Sequence, residues 1–153
     1  MSRRGDQVVA TNRRARHDYH ILESWECGLV LHGSEVKSLR DGHVTIRDAY
    51  ARVEEGELWL HSMHIPPYPF SRAELDPDRK RKLLVHHKEI LDMARGTEQK
   101  GNTLVPLRLY FKDGRAKLEI ALARGKRAYD KRQALAKRDA DREAERAMKG
   151  LRE

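Results

Sequence analysis

Residues 103–123 read T-L-V-P-L-R-L-Y-F-K-D-G-R-A-K-L-E-I-A-L-A. From Leu104 to Phe111, branched or aromatic residues return at every second position, the period of a strand with one buried face. Asp113-Gly114 then separates Leu107-Arg108-Leu109-Tyr110-Phe111 from the alternating run 116–122. Gly accepts the positive φ of a tight turn, so the stretch reads as an antiparallel hairpin. Upstream, Glu55-Gly56 divides Tyr50-Ala51-Arg52-Val53 from Leu58-Trp59-Leu60 in the same manner, which gives a second hairpin. A third extended segment is expected over residues 19–31, with a bulge or bend at Glu26-Cys27-Gly28.

Helical signals are few. Residues 34–40 carry Ser34 as an N-cap candidate, Val36 and Leu39 three apart, and Gly42 as a stop, so a short helix is expected there. Residues 86–95 put Ile90, Leu91 and Ala94 on one face, and Gly96 is read as the stop of a second helix. Pro66, Pro67, Pro69 and Pro77 confine the stretch between to loop. Strands with only two or three short helices do not build βαβ units. The expected fold is mainly β, a small OB-fold-like antiparallel barrel over residues 1–125 with a basic C-terminal tail over 126–153.

The 153 residues allow one modest core, and 37% charged against 39% hydrophobic residues directs much of the chain toward water or a polar partner. A formal charge of +8 and a pI near 9.8 favour a polyanion. No apolar run is long enough to span a membrane and the first residues are charged, so a cytoplasmic protein with no membrane partner is expected. Cys27 is the single cysteine, which excludes an intrachain disulfide and a cysteine-built zinc site.

In the tail, ten Lys or Arg stand against six Asp or Glu, so it carries +4 of the +8. Its few large apolar residues cannot offset an ordering entropy of roughly 1–2 kcal/mol per residue, so the free tail is expected to be disordered. Ala136, Ala140, Ala144, Ala147, Met148 and Leu151 nevertheless recur at helical spacing, so a helix is expected once an anionic partner is bound.

Three basic clusters stand out. Asn12 to Tyr19 reads N-R-R-A-R-H-D-Y. Arg13, Arg14 and Arg16 can fork onto phosphates, His17 and Tyr19 can stack on unpaired bases, and Asn12 can bond base or sugar edges. Residues 78–82 and 124–127 form the other two, the last including Arg124 and Lys126. Should the fold join them, they make one RNA surface; the absence of a recognition helix or basic zipper argues against DNA. His61 with His64 and His86 with His87 lack accompanying carboxylates, so no metal or other cofactor is expected. The enzymatic alternative is a metal-free ribonuclease in which His17 and Glu26 or His87 share acid and base duties. A general basic RNA chaperone or ribosome-assembly factor is the third reading.

Taken together, five blocks spanning nearly the whole chain resemble one family, SmpB, the SsrA-binding proteins: N-R-R-A-R-H-D-Y from Asn12, G-S-E-V-K-S-L-R from Gly33, D-P-D-R-K-R-K-L-L from Asp76, T-L-V-P-L-R-L-Y-F from Thr103 and A-L-A-R-G-K-R-A-Y-D-K-R from Ala121. The resemblance implies a non-enzymatic barrel that binds the tRNA-like domain of transfer-messenger RNA (tmRNA) and serves trans-translation on stalled ribosomes. It implies RNA contacts at Asn12, at Glu26 in W-E-C-G and at Leu84 in K-L-L-V-H, with Lys37 in the second block. Taken alone, Leu84 reads as ordinary barrel core. In the tail it implies contacts of Tyr129, Asp130, Lys131 and Arg132 with ribosomal RNA at the small-subunit decoding centre, Lys137 and Arg138 continuing into the empty mRNA channel. Elongation factor Tu with alanyl-tmRNA is implied as a further partner.

Overall fold

The computed structural model describes residues 7–72, 74–126, 138 and 141–147. Both hairpins form as their turns dictate. Glu55 and Asp113 adopt φ of 52°, and Gly56 and Gly114 follow at 77°, the paired left-handed conformations that match the twist of two strands. They connect β3 (Tyr50–Glu54) to β4 (Glu57–His61) and β6 (Asn102–Lys112) to β7 (Arg115–Gly125). The remaining strands are β1 (Gln7–Thr11), β2 (Tyr19–Leu29) and β5 (Arg81–Leu84); α1 (Arg13–Asp18), α2 (Gly33–Arg40) and α3 (His87–Glu98) lie between them.

The sheet runs β1-β6-β3-β4-β5-β2-β7, and β6 also pairs with β7, so it closes on itself as an antiparallel barrel. β7 occupies one edge of β6 along its length, while β1 and, at Ala51–Leu104, β3 share the other. Alternation then sorts the side chains. Trp25, Cys27 and Leu29, Leu58 and Leu60, Leu104 and Leu109, and Leu118, Ile120 and Leu122 fill the core, which Leu39 of α2 and Ile90 and Met93 of α3 complete. Burial pushes the Cys27 thiol up to about 12, so it stays protonated and inert.

Three local expectations are corrected. Strand β2 is uninterrupted at Gly28; its irregularity lies at Leu22, where the register with β7 shifts between Ile21 and Glu23. Gly28 instead makes room for a neighbour, since a Cβ there would stand 3.3 Å from Leu84 Cβ. Helix α2 is capped by His32 rather than Ser34: the Glu35 N–H donates to the His32 carbonyl at 3.0 Å, and Glu35 Oε1 accepts from the His32 N–H at 2.9 Å. Helix α3 runs through Gly96 to Glu98. The glycine serves close approach, because a Cβ at that position would lie 2.5 Å from Leu122 Cδ2.

β1, α1 and β5 are elements the sequence pattern did not delimit. Of the tail, Arg138 and residues 141–147 are helical and exposed. The positions implied at Tyr129, Asp130, Lys131, Arg132 and Lys137 lie outside the described residues, as does most of the stretch expected to be disordered when free. Among the described residues no helix is long and apolar enough to cross a membrane.

Candidate nucleic-acid interface

A cationic helix rests on the outside of the barrel because the sheet beneath it turns apolar residues outward. Ala15 packs with Val105, Leu107, Ala121 and Ala123, the outward positions of β6 and β7. Asn12 pins the helix down. Its Oδ1 accepts from the Ala15 N–H at 3.2 Å as N-cap, and its Nδ2 donates to the Pro106 carbonyl at 3.0 Å. Its own N–H donates to Leu107 O at 2.8 Å. These acceptors sit where β6 shifts register between Pro106 and Arg108, an irregularity suited to a residue with no N–H. Asn12 is therefore buried and engaged in structure. What it presents outward is the helix.

Arg13, Arg14, Arg16 and His17 are all exposed. Arg14 Nε bonds Asp18 at 2.9 Å, and His17 Nδ1 lies 2.9 Å from the other Asp18 oxygen. Hydrogen bonds from His17 and then Arg14 hold the Asp18 carboxyl below its usual range. Arg13 and Arg16 make no ion pair among the described residues, so their guanidinium forks are available to phosphate.

Pairing of Tyr19 with Gly125 and of His20 with Arg124 brings the end of α1 beside the end of β7. The first and third basic clusters thereby meet around an open concavity of about 920 Å³ lined by Arg14, His17, Tyr19, Arg47 and Lys126. A neighbouring hollow of about 370 Å³ lies between α1 and Arg47, Tyr50 and Thr103. Arg47 went unnoticed in the sequence because it stands alone in V-T-I-R-D-A rather than in a cluster. Arg124 does not line the concavity. It follows Leu118, Ile120 and Leu122 on the opposite side of β7 from α1, and its guanidinium donates to Asn102 Oδ1 at 2.9 Å and Gln99 Oε1 at 2.7 Å.

Down the same outer face stands Glu26, which accepts from the Tyr110 hydroxyl at 2.5 Å and has Lys112 Nζ at 3.6 Å. The Tyr110 hydroxyl holds the Glu26 carboxyl below its usual range against the opposing effect of burial, with a further contribution from Lys112. Arg108 lies 4.2 Å over the Tyr110 ring and bonds Glu119 at 3.3 Å. The face ends at Leu84, which alternates outward from the core residue Leu83 and is 53% exposed beside Gly28. The reading of Leu84 as barrel core is thus overturned: β5 turns Leu83 inward. Asn12, Glu26 and Leu84 lie along one face, and Tyr19 to Gly28 spans roughly 30 Å at strand rise.

The middle basic cluster does not join this surface. Arg81 is 0% exposed and its guanidinium bonds Glu35 at 2.9 Å, the Pro77 carbonyl at 2.9 Å and the Met63 carbonyl at 2.5 Å. Arg79 also pairs with Glu35, Lys82 with Glu57 at 3.1 Å, and Lys80 with Glu54 at 3.5 Å while lying 4.5 Å over the Trp59 ring. Burial alone would raise the Glu35 carboxyl, but hydrogen bonds from Arg79, the His32 N–H and Arg81 outweigh it and hold the group low. Lys37 is exposed on α2 with its ammonium 5.6 Å from the Tyr68 ring, away from the α1 concavity.

The ribonuclease pairing is not assembled. Glu26 stands seven residues along β2 from Tyr19, about 23 Å at strand rise. His87 opens α3 after β5, at the far end of β2 from His17. Among the described residues no three His, Cys, Asp or Glu side chains are grouped to hold a metal.

A closed barrel with a cationic helix on its outer face, an acceptor below it and an apolar platform beyond defines a protein built for a folded polyanion. The SmpB protein family model matches residues 9–150. An SsrA-binding protein of Desulforudis audaxviator is 54% identical over 151 residues, 98% of this chain and 99% of that one. One from Carboxydothermus hydrogenoformans is 54% identical over 145 residues, 94% of this chain and 97% of its own. A chain in the solved structure described as "tmRNA-SmpB: a journey to the center of the bacterial ribosome" is 53% identical with a TM-score of 0.65, covering 76% of this chain and 82% of that chain. This chain belongs to the SmpB family.

Proposed function

We propose that this protein binds the tRNA-like domain of tmRNA and delivers it to stalled ribosomes for trans-translation. The observation that carries the reading is the single outer face on which α1, Glu26 and Leu84 align, in a chain of this family. On that face Arg13, Arg14, Arg16, His17 and Lys126 meet phosphates and unpaired bases, with Arg47 added to them. Glu26, kept ionised by Tyr110, accepts from base amino groups or the 2′-OH, and Leu84 offers a flat apolar contact to a base or ribose. Asn12 acts through the helix it caps.

The work is occupancy, with no bond made or broken by the protein. The barrel, residues 1–125, holds the RNA, and the tail from Lys126 onward fills the vacant mRNA path, with Tyr129 to Arg132 at the decoding centre and Lys137 and Arg138 further along. An intact message excludes the tail sterically. Elongation factor Tu accompanies the alanyl-tmRNA, and peptidyl transfer is the ribosome's own chemistry.

The experiment is truncation after Lys126, which keeps that phosphate contact in place. Affinity for the tRNA-like domain should stay within about twofold while rescue of stalled ribosomes is lost, because the phosphate contacts lie on the barrel. Equal loss of both would defeat the division of labour. Equal affinity for unrelated structured RNA at physiological salt would favour a general RNA chaperone, and RNA cleavage abolished by His17→Ala would favour the nuclease.

A further inference from the structure

Arg124, the penultimate residue of β7, spends its guanidinium on two neutral side-chain amides. Nε donates to Asn102 Oδ1 at 2.9 Å and Nη2 to Gln99 Oε1 at 2.7 Å. Asn102 passes the connection on, its Nδ2 donating to the Gly96 carbonyl at 2.9 Å near the C-terminal end of α3. That end of a helix carries partial negative charge, so a cation is favoured beside it. Gly96 allows the helix to press on Leu122, two residues before Arg124. Gly125 N–H in turn donates to the Gly101 carbonyl at 3.4 Å, and Asn102 N–H to Gln99 O at 3.1 Å. Strand ends ordinarily fray. This one is tied to the α3–β6 turn on one side and to Tyr19 of β2 on the other.

We propose that Arg124 is a positioning residue: with Gln99 and Asn102 it fixes where and in which direction the chain leaves the barrel at Gly125, and so aims the tail. The proposal rests on the tail's role given above. A tail that must enter a narrow path while the barrel sits on its RNA gains effective concentration from a fixed point of departure; a loose root spreads it over many directions. The charge of Arg124 suits the helix end but is not what fixes the geometry. Its fork is, since two acceptors in two different positions require two donors held in one plane.

The full-length double variant Gln99→Ala with Asn102→Ala removes both acceptors and leaves Arg124 and the RNA-binding face untouched. Amide exchange at Arg124 and Gly125 should quicken about tenfold, as loss of these bonds implies. Affinity for the tRNA-like domain should stay within about twofold and the thermal midpoint of the barrel within a few degrees, while the rate of ribosome rescue falls severalfold. Arg124→Lys, with one ammonium in place of the fork, should lie between. Two glycines inserted after Gly125 in the otherwise unchanged chain should reproduce the rescue defect. Unchanged exchange overturns the clamp; quickened exchange with full rescue overturns the aiming. A parallel fall in RNA affinity would make these residues part of the RNA-binding scaffold instead. If the unchanged protein itself fails to bind the tRNA-like domain, the proposed function fails, and the exchange measurement still judges the clamp.

Discussion

Residues 13–18 and 79–82 are both rich in positive charge, yet the molecule uses them in opposite ways. On α1 the acidic partners are Asp18, within the helix, and Asp48 at 3.9 Å, and they engage Arg14 and His17, leaving Arg13 and Arg16 open to solvent. Around β5 every cation is spoken for by a carboxylate from elsewhere: Glu35 takes Arg79 and Arg81, Glu54 takes Lys80, and Glu57 takes Lys82. The first is a surface charge and the second a strut that ties the proline-rich stretch to α2. Local charge density says little about available charge; what decides it is whether the fold delivers acids to meet it.

The largest expected effect lies in the strut. Arg81→Met leaves Glu35 buried with one of its two cationic partners gone and should cost about 3–5 kcal/mol in chemical denaturation. A cost below 1 kcal/mol would place Arg81 with the surface cations. The same pair gives a pH signature. Glu35 is held below its ordinary value of 4.5, so its contribution is fully present above that value and is lost as pH falls through the lowered folded value. The acid limb of the stability curve should therefore flatten in Glu35→Gln.

Next comes binding. Arg13→Ala with Arg16→Ala should weaken affinity for the tRNA-like domain by roughly 10- to 100-fold and reduce the salt slope by about 2, with stability changed by less than about 0.5 kcal/mol. Lys80→Ala with Lys82→Ala should leave the slope unchanged. Equal slopes for the two double variants in titrations from low to high salt would erase the distinction between the regions. Smaller still, Asn12→Ala should cost about 1–2 kcal/mol of stability through the lost cap and the lost anchor to Pro106, and lower RNA affinity only as far as α1 detaches. Normal stability with a large affinity loss would make Asn12 a direct RNA ligand.

The same contrast explains what was legible in the sequence. The barrel was, because Glu55-Gly56 and Asp113-Gly114 demand turns that only hairpins use, and because Leu104 to Phe111 and residues 116–122 alternate cleanly. β5 was not: R-K-L-L reads as a basic cluster followed by core, and only Glu35, 46 residues away, turns Arg81 inward. β1, an edge strand with a mostly exposed pattern, carries no alternation to detect. Gly96 reads as a helix stop because its real reason, the Leu122 side chain, belongs to another element. Along the site, Arg13, Arg14, Arg16 and His17 could be named from their clustering, but Arg47 and Tyr110 enter only through tertiary proximity. Arg124 looks like one more cation until its amide partners are seen.

The proposed interface puts the RNA on the outer face that runs from α1 over β2, β6 and β7 to Leu84 at the end of β5, and not on the outer side of β3 and β4. Hydroxyl-radical footprinting of the full-length protein with and without the tRNA-like domain tests it directly. Protection is expected at His17, Tyr19 and Leu84, with Trp59 beneath Lys80 unchanged. Protection at Trp59 with His17 and Leu84 still fully reactive would contradict it.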